Sequence, residues 1–198
     1  MVLFPQNRLV LATRNQGKVA EIAAMLEGVG VEVVTAAELG LPEVEETGTT
    51  FEENAGLKAE SASKASGLAV LADDSGLSAD ALSGAPGVYS ADWAGEERDY
   101  EAAMARLQRE VEAAGGDRGA AFRSLLILQW PDGRRVLSRG EVRGRLVFPP
   151  RGEGGFGYDP CFVPEGESRT FGEMSAEEKR RFSHRARALD ALRAELGL

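Results

Sequence analysis

Apolar residues recur along this chain with two different periods, and the switches between them divide it into elements. Arg8 leads into Leu9-Val10-Leu11-Ala12, a short apolar run of the kind that forms a buried strand. Val19, Ile22, Ala23 and Leu26 then recur at helical spacing, which predicts an amphipathic helix over residues 16–26. Residues 31–34 read as a second strand. After a polar loop, Thr50-Phe51-Glu52-Glu53 matches a capping box, in which Thr and Glu each satisfy an otherwise orphaned helix amide. The helix it opens runs toward Ser66 and carries Lys58.

The most apolar stretch comes next: Leu68-Ala69-Val70-Leu71-Ala72, ended by Asp73-Asp74-Ser75-Gly76. It reads as a buried strand with two acids at its carboxyl end, where ligands gather in open α/β sheets. Acids at that point either cap the next helix, a task suited to Asp and Ser, or hold a divalent cation, since a hard ion takes carboxylate oxygens.

Beyond the turn at Gly84-Ala85-Pro86-Gly87, residues 99–114 are good helix formers throughout. Residues 120–129 and 135–147 are then two extended segments joined by Pro131-Asp132-Gly133, which predicts a hairpin. A glycine-rich loop over 152–157 precedes a short strand at Phe162-Val163. Ser175-Ala176-Glu177-Glu178 is a second capping box, and a last helix covers about 183–196. No repeat or linker interrupts the chain. The pattern predicts one domain over residues 1–198, α/β in class: a mixed twisted sheet with flanking helices and two lobes around a central cleft.

Composition narrows the function classes. The net charge of −9 argues against a nucleic-acid polymer as partner, because a positive surface supplies most of that affinity. The single cysteine, Cys161, permits no intrachain disulfide and suits a reducing compartment. No apolar run approaches the roughly 20 residues of a membrane helix, and the first residues lack the basic lead of a signal peptide. The expectation is a cytoplasmic protein with no membrane partner. Charge is nonetheless clustered. Acids gather at Glu43, Glu45, Glu46, Glu52 and Glu53, and bases at Lys179, Arg180, Arg181, His184, Arg185 and Arg187. Two such clusters could converge around a metal-bound polyanion.

Three segments carry candidate chemistry. Thr13-Arg14-Asn15-Gln16-Gly17-Lys18 joins the first strand to the first helix, where backbone amides and Lys18 suit a phosphate. It is not a Walker A loop: Ala12 and Val19 stand where that motif requires Gly and Ser or Thr. Gly154-Gly155-Phe156-Gly157-Tyr158-Asp159-Pro160 combines close backbone approach, a stacking face and a hydrogen-bond acceptor. Ser183-His184-Arg185 holds the only histidine, with donors that suit the edge of a purine. One His and one Cys make no zinc site.

With these segments in order, the chain resembles the inosine triphosphate pyrophosphatase family over roughly Leu9 to Leu196. The resemblance rests on the Thr13–Lys18 loop, Glu46-Thr47-Gly48-Thr49-Thr50-Phe51-Glu52-Glu53-Asn54-Ala55, and Asp73-Asp74-Ser75-Gly76-Leu77. Gly84-Ala85-Pro86-Gly87-Val88-Tyr89-Ser90-Ala91, Gly154–Pro160 and Ser183-His184-Arg185 complete it. One departure stands out: Arg14 occupies a position where the family often has Gly.

The resemblance implies Mg²⁺-dependent hydrolysis of inosine, deoxyinosine and xanthosine triphosphates to the monophosphate and pyrophosphate, cleansing the nucleotide pool. It implies Asp74 as the catalytic acid-base and metal residue, with Asp73 beside it as a further metal residue that supports the ion or its waters. It implies Glu46 as the acidic metal partner, with Glu43 and Glu45 close enough to compete for that role. Thr13, Asn15, Lys18 and Lys58 would hold the phosphates, and Ser75, Gly157 and Tyr158 would also bind the substrate. Phe156 and Asp159, with Lys179, His184 and Arg185, would form the base pocket. It further implies a homodimer. A haloacid-dehalogenase-type phosphatase is disfavoured, since that motif needs Asp-x-Asp and Ser75 follows Asp73 by two. A nucleotide-binding regulatory module without turnover is the remaining alternative.

Overall fold

A computed structural model describes residues 4–197. The elements follow the sequence pattern closely: β1 (Arg8–Leu11), α1 (Gln16–Leu26), β2 (Glu32–Thr35), α2 (Phe51–Ser66), β3 (Ala69–Ala79) and α3 (Tyr100–Ala113). After them come β4 (Gly119–Gln129), β5 (Arg135–Leu146), β6 (Phe162–Pro164), α4 (Ala176–Arg180) and α5 (His184–Leu196). The strands form one six-stranded sheet in the order β2-β1-β3-β4-β5-β6. β1 runs parallel to both β2 and β3, and β5 runs antiparallel to β6, so the sheet is mixed as expected. The turn between β4 and β5 is closed by Trp130 N donating to Arg134 O and Gly133 N donating to Trp130 O. No helix among the described residues is long and apolar enough to cross a membrane.

Local chemistry accounts for the helix starts. Thr50 Oγ1 accepts from Glu53 N while the Glu53 carboxylate returns a bond to Thr50 N, the reciprocal capping box the sequence predicts. Ser175 and Glu178 repeat it at α4. A further box, Thr170 with Glu173, opens a single 3-10 turn that the sequence pattern leaves as loop.

The chain forms two compact units. The first takes the described residues of Met1–Asp74, Ser124–Gly140 and Arg185–Leu198; the second takes Ser75–Arg123 and Glu141–His184. Strand alternation organises the first unit. Leu9, Leu11, Ala69, Leu71, Leu126 and Leu128 pack with Ile22 and Leu26 of α1 and Ala188, Leu189 and Leu192 of α5. Their neighbours in sequence, Val10, Val70, Ala72, Leu125 and Ile127, pack with Ala55, Ala59 and Ala62 of α2. Successive side chains leave a strand on opposite faces, so α1 and α5 share one face of the sheet and α2 takes the other.

One expectation is corrected. The two acids do not end a strand: β3 continues through Asp73 and Asp74 to Ala79. The second unit's core explains the continuation, because Leu77 and Ala79 are buried there with Phe122, Phe162 and Phe171. Gly76 lets the strand pass a close neighbour, since a Cβ at that position would lie 2.2 Å from the Gly87 carbonyl oxygen. Ser90 Oγ receives the Leu77 amide at 2.9 Å and donates to Gly87 O at 2.6 Å, fixing the turn against the strand.

Candidate active site

Alternation along β3 decides where its two acids point. Asp73 continues the series Ala69 and Leu71, toward α1 and α5; Asp74 continues Val70 and Ala72, toward α2. The contacts agree. Asp73 Oδ1 accepts from Ser124 Oγ at 2.8 Å, and Asp73 Oδ2 meets Lys18 Nζ at 2.9 Å and Arg185 Nε at 3.5 Å. Asp74 Oδ1 accepts from Lys58 Nζ at 3.0 Å, and the same ammonium reaches Glu46 Oε2 at 3.1 Å. The geometry therefore gathers Glu46, Lys58 and Asp74 on one face. It directs Asp73 away from them, into a cationic nest.

The electrostatics of the two acids differ accordingly. Burial pushes the Asp73 carboxyl up, but Lys18 and Arg185 outweigh it and hold the group well below the usual carboxylate range. Burial dominates at Asp74, raising it to about 6 against the pull of Lys58 and Lys18. Lys18 is lowered, chiefly by burial, with Asp73 opposing. Lys58 also suffers burial, yet the carboxylates of Asp74, Glu46 and Asp73 raise it and keep it charged.

The loop between β1 and α1 is built for the helix start. Asn15 caps α1, its Oδ1 accepting from Lys18 N at 3.2 Å, and Thr13 Oγ1 accepts from Asn15 N at 3.2 Å. Ser75 follows Asp74 in β3 and is half-buried; it belongs to the second unit.

In the second unit, Asp159 and Lys179 form a buried ion pair at 2.6 Å. Asp159 Oδ2 also accepts from Phe156 N at 2.8 Å, and Lys179 Nζ lies 4.7 Å from the Phe156 ring centroid. Gly155 makes this possible: its φ is +70°, and a Cβ there would sit 2.1 Å from Asp159 Oδ2. Gly157 likewise has a positive φ of 67°. His184 is buried and stacks on Phe122, centroids 4.9 Å apart and planes within 11°. Tyr158 is buried in the core, its hydroxyl donating to Ser90 O at 3.0 Å. Arg185 belongs to the first unit, where its Nη1 meets Glu21 Oε2 at 2.6 Å.

Two residues of this network escape sequence reasoning. Glu21 lies three residues beyond Lys18 on α1, a spacing that puts both on one helix face. Ser124 is a lone hydroxyl in an apolar strand, at the parity of Leu126 and Leu128. Both signals are present, but neither reveals a partner distant in sequence.

A divalent cation can be tested against these donors. Asp74 Oδ2 is buried and has no hydrogen-bond partner among the described residues. Those residues contain no group of three or more histidine, cysteine or carboxylate side chains suited to a metal ion. Glu46 and Asp74 are thus a two-carboxylate set. That set fits a magnesium-like ion, which usually takes one or two carboxylates and completes its shell with water and substrate phosphates.

The family model described as Ham1 family matches residues 9–195. The chain belongs to the Ham1 family. Relatives in the family include the dITP/XTP pyrophosphatase of Caulobacter vibrioides, 55% identical over 190 residues that cover 96% of this chain and 97% of that protein. The dITP/XTP pyrophosphatase of Gluconobacter oxydans is 52% identical, covering 96% of this chain and 90% of its own. Among solved structures, a HAM1 protein from Coxiella burnetii superposes with a TM-score of 0.88 at 38% identity, covering 96% of this chain and 98% of that one. The fold of this Ham1 chain is therefore the mixed α/β fold of its solved relatives.

Proposed function

We propose that this chain hydrolyses non-canonical purine nucleoside triphosphates such as dITP and XTP, releasing the nucleoside monophosphate and pyrophosphate. The observation that carries the reading is Asp74: a buried carboxylate with one oxygen on Lys58 and the other without a hydrogen-bond partner among the described residues. Family membership and the names of the relatives supply the substrate class.

In this reading Lys18 and Lys58, with Thr13, Asn15 and Ser75, bind the triphosphate. Asp74 Oδ2 orients the attacking water and takes its proton as the water oxygen joins phosphorus and pyrophosphate departs. A carboxyl raised to about 6 remains ionised at neutral pH yet is a stronger base than an exposed aspartate. Glu46 and Asp74 would hold Mg²⁺, which supplies charge neutralisation at the phosphates. Asp73 keeps Lys18 and Arg185 in place. Phosphoryl chemistry of this kind depends mainly on positioning and charge.

The base residues are assigned by chemistry. Hypoxanthine and xanthine carry an acceptor at position 6, where adenine carries a donor amine. Donors from Lys179, His184 or Arg185 match the first and oppose the second, and an unmatched buried polar group discriminates strongly. Phe156 supplies a stacking face, and Asp159 orients Lys179. Two copies of the chain form the working enzyme, in the cytoplasm.

A substrate panel tests the proposal. With Mg²⁺ present, kcat/KM for XTP and dITP should exceed that for ATP by about 100-fold or more, the scale set by hydrogen-bonded recognition. Equal values would remove the base assignment, and no turnover of any triphosphate would favour a binding module instead.

A further inference from the structure

Arg14 takes no part in the proposed chemistry, and its contacts give it a task. Its backbone lies in the β1–α1 loop, between Thr13 and Asn15. Its side chain leaves that loop: Nη2 donates to Leu41 O at 3.2 Å, and Nη1 lies 3.8 Å from Glu43 Oε2. The segment it reaches is the irregular stretch that carries Glu46.

That stretch is firmly anchored at both ends. Upstream, Leu41 N donates to Ala36 O at 2.9 Å and Ala36 N donates to Leu11 O at 3.0 Å. Downstream, Gly48 N donates to Asn54 Oδ1 at 2.8 Å, and Thr49 N and Thr50 N donate to Glu53 Oε2 at 2.7 and 3.0 Å. Between the anchors, residues 42, 43, 45, 46 and 47 are exposed, and Val44 is half-buried. Their described tethers are few: Thr47 N to Glu45 O at 3.1 Å, Glu46 to Lys58, and Glu43 to Arg14.

We propose that Arg14 is a positioning residue that ties the acidic segment to the phosphate loop, setting Glu46 in advance beside Lys58 and Asp74. The proposal rests on the nucleotide-hydrolase reading for its catalytic consequence, but not for the tether itself. A glycine at this position would leave Glu43 without its cation and the Leu41 carbonyl to solvent. Arg14 is half exposed, so the tether is modest, and its effect falls on the population of the ordered segment rather than on folding.

Hydrogen exchange on the free protein, joined to kinetics, tests this. In Arg14→Gly, amides of residues 43–47 should exchange about 3- to 10-fold faster, the scale of one exposed ion pair with a hydrogen bond. Amides of α2 should be unchanged. The Mg²⁺ concentration giving half-maximal rate with inosine triphosphate should rise by a similar factor while the limiting kcat stays near wild type. Glu43→Gln should shift exchange in the same direction, and adding it to Arg14→Gly should contribute little more. Unchanged exchange over 43–47, with the nucleotide KM raised instead, would make Arg14 a direct phosphate contact and overturn the proposal. Should wild type hydrolyse no triphosphate, the functional reading falls while the exchange comparison still decides the tether.

Discussion

Lys58 Nζ sits 3.0 Å from Asp74 Oδ1 and 3.1 Å from Glu46 Oε2, so one ammonium holds two carboxylates from separate segments on the same face of the sheet. Without that charge, two acids brought together beside a buried strand would repel each other and pay the cost of burial unaided. The same grouping is what a cation and a triphosphate require. Lys58 thus preserves the site's form before any ligand arrives.

Asp74→Asn should lower kcat by about 100-fold or more, the usual loss for a positioned acid-base group. Glu46 still faces Lys58 in the variant and the cost of burying the Asp74 charge is removed, so the unfolding temperature at pH 7 should not fall below that of wild type. Steady-state rates and a melting curve on one preparation check both halves. Near-normal turnover in a folded variant removes Asp74 from the mechanism.

Asp73→Asn should act differently, through stability. Its carboxylate compensates Lys18 and Arg185, and removing one partner from a buried charge cluster costs about 3–5 kcal/mol. Urea unfolding should show a lower midpoint with little change in slope. A loss below about 1 kcal/mol would mean that Glu21 alone suffices for Arg185 and that water reaches Lys18.

The two acids also give opposite pH signatures. Asp74 is raised to about 6, so the folded state binds its proton more tightly than the unfolded chain. Its contribution to stability grows as pH falls from about 7 toward 4, and its ionised form is lost over the same range. Without added cation, binding or rate steps that need the carboxylate should weaken below about pH 6. Asp73 is depressed, so its stabilisation is complete above the ordinary aspartate range and is lost as pH falls below about 4. Unfolding free energies at pH 7, 5 and 3 in wild type and the two Asn variants separate these terms. If Asp73→Asn kept the wild-type fall in stability below about pH 4, that would contradict the assignment.

Gly155→Ala tests the second unit. The positive φ and the 2.1 Å approach to Asp159 Oδ2 leave no place for a Cβ. The loop must shift, and Asp159 with it, loosening Lys179. The nucleotide KM should rise by about tenfold with a smaller change in kcat, since this loop is assigned to binding the base and not to the reacting groups. An equal fall in kcat with KM unchanged would place this loop in the chemistry rather than in binding.

The fold was legible wherever its cause is local. Thr50 with Glu53 and Ser175 with Glu178 mark helix starts by contacts three residues apart, and the structure keeps both boxes. The glycine-rich loop of 154–157 was equally visible as a place of close backbone approach. The acids of β3 were not, because Asp-Asp-Ser-Gly has the composition of a turn and its compensation comes from far along the chain. Lys18 lies 55 residues before Asp73, as their numbers show, and no short window contains both. The division of the two acids was nonetheless implicit in the alternation of Ala69 to Ala72. Extending that alternation by two residues places Asp73 and Asp74 on opposite faces.

In the proposed reaction this site cleaves a triphosphate between its α and β phosphates. Incubation of the protein with inosine triphosphate and Mg²⁺, followed by separation of all phosphorus-containing products, tests it most directly. Inosine monophosphate and pyrophosphate should appear in equal amounts, with no diphosphate. Inosine diphosphate with orthophosphate would contradict that cleavage.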